Sequence, residues 1–117
     1  MSEFKGRTKF FLSQRRRVLD LREELNGTRK FILSSTITGF IVGDDGRSLP
    51  VWDYSLMDDQ DRHLLALLSQ VERDLIRLER IIARSRRYEP LGEPQLARLA
   101  YAEEMLEYID NKATGRL

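Results

Sequence analysis

His63 is the one histidine in the 117-residue chain, and Asp59 stands four residues before it, a separation at which two side chains meet on one helical face. A carboxylate orienting an imidazole is half of an acid–base or nucleophilic site. The other half, a nucleophile or second carboxylate converging on the ring, must come from elsewhere. No serine or cysteine motif supplies it, so the pair reads as a contact on an exposed first turn. Asp44, Asp45 and Asp53 are the next set, since carboxylates close in space hold Mg²⁺ or Ca²⁺. Their spacing lacks the alternating ligands and closing glutamate of a calcium loop, and turn formation accounts for Asp44 and Asp45. Gly39, Gly43 and Gly46 are followed by no Gly-Lys-Ser/Thr and open no helix, so they cradle no phosphate. With no cysteine, thiolate metal sites, disulfides and cysteine nucleophiles are excluded and a reducing, cytoplasmic compartment is expected. The expectation is a non-enzyme with no catalytic residue, no metal and no cofactor.

Charge is the other chemistry on offer. The net charge is +1, yet residues 1–30 hold nine basic and four acidic side chains, and residues 31–60 hold one basic and five acidic. Arg73, Arg77, Arg80, Arg84 and Arg87 step by 4, 3, 4, 3, which lines one helical face. Arg15, Arg16 and Arg17 form a second cluster. Such rows neutralise phosphates or dock on acidic protein surfaces; the plainer reading is a solvated helix face. Glu72, Asp74, Glu79 and Glu89 flank the first row and offset its self-repulsion.

The elements that must carry these residues follow from periodicity. Phe11, Val18 and Leu25 recur every seven residues with Leu21 between them, predicting a helix over residues 8–26 that stops at Gly27. Residues 30–42 are rich in β-branched side chains, and Gly43 to Gly46 is a turn sequence. Leu49 to Trp52 reads as a returning edge strand because Pro50 cannot donate to a ladder. A β-hairpin over 30–54 is expected; the rival is a short buried helix across Phe31–Val42. Ser55-Leu56-Met57-Asp58 resembles a capping box. Beyond it Leu64, Leu68, Val71, Leu75, Leu78 and Ile82 step by 4, 3, 4, 3, 4, with Leu67 widening the stripe, predicting a helix over 56–87. Pro94 suits a first helical turn, and Leu96, Leu99, Ala102, Leu106 and Ile109 carry a helix over 94–112, leaving 113–117 as a tail. The short link between the last two makes them an antiparallel helical hairpin. The fold class is α+β, mostly helical, in one domain over residues 1–117. No run of apolar residues is long enough to span a membrane.

The functional expectation rests on length. A helix over 56–87 would run about 43 Å, while a compact domain of this size is roughly 27 Å across. Its leucine-rich side, Leu64, Leu67, Leu68, Val71, Leu75, Leu78 and Ile82, therefore needs cover from outside. The reading is an interaction or scaffolding protein that oligomerises with itself or docks on another protein through the helical hairpin. A nucleic-acid accessory protein using the arginine rows is the alternative. Trp52 is expected to plug the end of the bundle, or else to join Phe40 and Tyr54 in an exposed aromatic patch.

Overall fold

The computed structural model describes the backbone of residues 2–115 and the side chains of residues 6–115. Three helices, α1 (Ser2–Leu33), α2 (Asp59–Arg84) and α3 (Glu93–Thr114), form a bundle in which each helix touches both others. An antiparallel hairpin, β1 (Ile37–Val42) and β2 (Ser48–Trp52), is inserted between α1 and α2. The expected class and order of elements hold.

The first helix is longer than its periodicity over 8–26 predicts. It passes through Gly27 without a break and ends at Leu33. Phe11, Gln14, Val18, Leu21, Leu25, Thr28 and Ile32 are all buried and step by 3, 4, 3, 4, 3, 4, so the heptad row continues across the glycine. A glycine in a helix interior costs about 1 kcal/mol. Burying Ile32 returns about 1.5–3 kcal/mol, so the longer helix wins. Residues 30–36, expected in the hairpin, are accordingly the last turn of α1 and a 3₁₀ turn (Ser34–Thr36). The buried-helix alternative holds for this part alone; Ile37–Val42 is strand.

The second helix starts later than expected. Ser55 lies in a 3₁₀ turn (Tyr54–Leu56), and the cap is Asp58, whose carboxylate accepts the Asp61 N–H at 2.8 Å. At the other end Ser85 leaves the helix, and Tyr88 adopts a positive φ of 53°. That left-handed residue turns the chain toward α3 while its ring packs edge-on against Phe11 at 5.4 Å. Pro94 stands in the first turn of α3, and Gly115, with φ 72°, ends it. Residues 113 and 114, expected in a frayed tail, belong to α3, and Ala113 packs against the core. The Leu91 amide donates to the buried Gln14 Oε1 at 2.7 Å, pinning the α2–α3 link to α1.

The core is one continuous cluster drawn from all three helices and Leu91. The molecule is elongated, 58 × 38 × 21 Å with a radius of gyration of 18.1 Å, against about 13 Å for a compact chain of this length. None of the described helices is long and apolar enough to cross a membrane.

Candidate interaction surface

The leucine row predicted as the docking face is core. Leu64, Leu68, Val71, Leu75, Leu78 and Ile82 are buried within the chain itself, Leu75 to 0% exposure, and Leu67 is half-buried. Two things close the gap that was expected to need outside cover. The second helix is shorter than 56–87, with 26 residues, about 39 Å. The first helix has 32 residues, about 48 Å, and runs along the whole row. The row therefore needs no second copy to shield it.

The arginines divide by partner. Arg17 bonds Glu103 on α3 at 2.7 Å, and that contact raises its pKa above the usual value, against the opposing effect of burial. Arg16 pairs with Asp20 on its own helix, and Arg15 is exposed. The glutamates expected to flank the α2 row are drawn away from it: Glu72 pairs with Arg29 at 3.0 Å and Glu79 with Arg22 at 3.4 Å, both on α1. The Arg29 guanidinium holds the Glu72 carboxyl below its ordinary range, chiefly by hydrogen bonding, with burial working in the other direction. Arg73, Arg77, Arg80 and Arg84 remain exposed on the outside of α2, and none has a carboxylate within ion-pair distance among the described residues. Arg87 lies beyond the end of the helix and does not continue the row.

The candidate catalytic groups do not converge. His63 is exposed, and Asp59 faces Arg62 at 3.9 Å. Asp44 and Asp45 sit in the hairpin turn, where Asp45 accepts the Arg47 N–H at 3.1 Å. Asp53 caps the turn after β2, accepting from the Ser55 hydroxyl and N–H, and these two bonds lower its pKa. Among the described residues no group of three or more His, Cys, Asp or Glu side chains is placed to hold a metal.

The surface that sequence reasoning undervalued is the hairpin. Its register pairs Ile41 with Leu49 and Gly39 with Val51 on one face, and Phe40 with Pro50 and Val42 with Ser48 on the other. Both faces are apolar and both are open to solvent: Phe40 is 66% exposed, Val42 76%, Ile41 57% and Leu49 47%. Trp52 does not plug the bundle; it is 38% exposed and stands outside the helical core, and Phe40 and Tyr54 are exposed as well. The buried residue near the root of the hairpin is instead Met57.

The hairpin is held at both ends. At its root Asp53 N–H donates to the Thr36 carbonyl at 2.7 Å, and the buried Thr36 donates its hydroxyl to the Leu33 carbonyl at 2.7 Å. At its tip Gly43 N–H donates to the Arg47 carbonyl at 2.8 Å, with Gly46 at φ 81° closing the turn. A two-stranded hairpin has little stability of its own in water, and a contiguous apolar patch on a monomer marks a place of contact. The signal was present in the sequence, since Phe40, Ile41 and Val42 are consecutive and apolar on both parities of a strand, a pattern that suits burial on two sides.

The chain matches no family model, and no match to it is found among curated proteins or solved structures.

Proposed function

We propose that this chain is a non-catalytic interaction protein, working in a reducing, cytoplasmic compartment, that docks on a protein partner through its projecting β-hairpin. The supporting observation is the two-faced exposure of Phe40, Ile41, Val42, Leu49 and Trp52 on an element whose own core is absent. The bundle positions the hairpin at one end of an elongated body, as a presenting scaffold does. Two open strand edges add unpaired backbone groups that a partner strand satisfies.

The test replaces Phe40, Val42 and Trp52 together with serine. Because these side chains lie outside the helical core, helicity and unfolding of the bundle are expected to persist. Self-association measured by light scattering, and binding of any co-purified protein, are expected to disappear. An unchanged association profile in the triple variant removes the hairpin as the docking surface.

A second reading has its own observation. The row Arg73, Arg77, Arg80 and Arg84 lacks carboxylate partners because Glu72 and Glu79 turn to α1, leaving a basic stripe of about 17 Å suited to phosphates. Retention on heparin or DNA that falls with salt and vanishes in Arg77→Glu with Arg84→Glu supports nucleic-acid binding. Passage without retention at low salt removes it.

A further inference from the structure

At the end of the bundle opposite the hairpin, an open groove of about 470 Å³ lies between α1 and the last turn of α2. The buried Phe11, Val18 and Ile82 and the exposed Leu19 and Tyr88 line it, with Arg15 and with Glu79, whose carboxylate is paired to Arg22 at 3.4 Å. Arg86 and Arg87 stand beside Tyr88 just beyond it. With Glu79 held by Arg22 and the neighbouring Glu89 by Arg7, Arg15 at the groove and Arg86 and Arg87 beyond it carry the free charge, which is positive. The hairpin is apolar on its faces, and Arg47 pairs with Asp45 at 3.5 Å, which leaves Asp44 at the tip and Asp53 at the root without a cation among the described residues.

We propose that the partner of the hairpin is a second copy of this chain, which receives Phe40 and Val42 in this groove with the unpaired Asp44 facing Arg15, Arg86 and Arg87. The proposal rests on the docking reading above and specifies its occupant. Three observations carry it. The two surfaces are complementary in both hydrophobicity and charge, which sets register and disfavours wrong partners. The chain cannot fill its own groove. From Arg15 to Leu33, α1 runs about 27 Å, and a six-residue strand spans about 20 Å, so a hairpin rooted at Thr36 falls short. Hairpin-to-hairpin pairing about a twofold axis would bring the unpaired Asp44 and Asp53 of two copies together, a like-charge arrangement that opposes it.

A contact between two different surfaces is heterologous and leaves one hairpin and one groove open at the ends, so it grows into rings or filaments instead of stopping at two. One hairpin face in one groove is a small interface, expected to hold at concentrations on the order of 100 µM and above. Two variants test this. The hairpin-blocked form carries Phe40→Asp with Val42→Asp; the groove-blocked form carries Leu19→Asp with Arg15→Glu. All four positions are exposed, and circular dichroism checks that the bundle survives in each.

The native chain is expected to rise above twice its 13.7 kDa mass with concentration, and each variant alone to stay at one. An equimolar mixture is expected to reach a dimer and stop, because one intact hairpin then meets one intact groove. Three results overturn head-to-tail docking: a native chain that stays monomeric, a groove-blocked form that assembles like the native chain, or a mixture that stays monomeric. If any of these occurs while the triple serine variant still loses a co-purified protein, the docking role of the hairpin stands with a different occupant. If neither binding is seen, both fail.

Discussion

The bundle and the hairpin are built from similar residues and have opposite fates. In α2 the apolar side chains repeat at 4 and 3, and two neighbouring helices close over them until Leu68, Leu75 and Leu78 are fully buried. In the hairpin the apolar side chains fall on both faces of a two-stranded sheet, and among the described residues no third element covers either one. Apolar sequence therefore produces core only where the topology supplies a second layer. Where it does not, the same composition produces a contact surface.

The largest test of that contrast is a pair of truncations. Leu75→Ala is expected to lower bundle stability by about 2–5 kcal/mol, measured by urea unfolding. Phe40→Ala is expected to change it by no more than about 0.5 kcal/mol. Equal losses at the two sites would make the hairpin part of the folding core and break the contrast.

Next in size is the polar contact inside the bundle. Gln14→Ala removes the acceptor of the Leu91 N–H at a buried site and is expected to cost about 1–3 kcal/mol. Amide exchange at Leu91 should accelerate, while exchange in the hairpin should not.

A cap substitution is smaller. Asp58→Ala removes the side-chain acceptor at the start of α2 and is expected to cost about 1 kcal/mol of bundle stability, read from the same urea curves. Asp53→Ala, which loosens only the exposed turn after β2, is expected to leave those curves in place.

The smallest effect is in the acid range. The Glu72 pKa is lowered from its ordinary 4.5 by Arg29, so its contribution to stability is present above that pH and lost as pH falls through the lowered value. The Asp61 pKa is raised from 3.8, first by burial and then by Asp58, so its burden on stability is relieved as pH falls through the raised value. Glu72→Gln is therefore expected to make acid destabilisation shallower and Asp61→Asn to make it steeper, as followed by thermal melts between about pH 3 and 6.

Much of this molecule was legible from spacing alone. The heptad steps of α2 and α3, the proline in the first turn of α3 and the glycine turn of the hairpin each encode a local geometry, and each appears where local rules put it. Gly27 is a local stop signal that the fold overrides, because Thr28 and Ile32 extend the buried row of α1 once α2 and α3 are there to bury them. The charge balance around the arginine row of α2 lies beyond local spacing for a related reason. Glu72 and Glu79 looked like companions of the arginine row, yet Arg29 and Arg22, some 43 and 57 residues away in sequence, hold them on the other side of the helix.

By itself the sequence determined which side chains share a face, where the hairpin turn falls and that thiol and His-rich metal chemistry are absent from these residues. Only the tertiary structure decided which of those faces is covered. Periodicity is a property of neighbours along the chain, set by the pitch of the helix and the pleat of the strand. Coverage depends on how many layers meet over a face, and that is settled by residues far apart in sequence once the whole chain has packed.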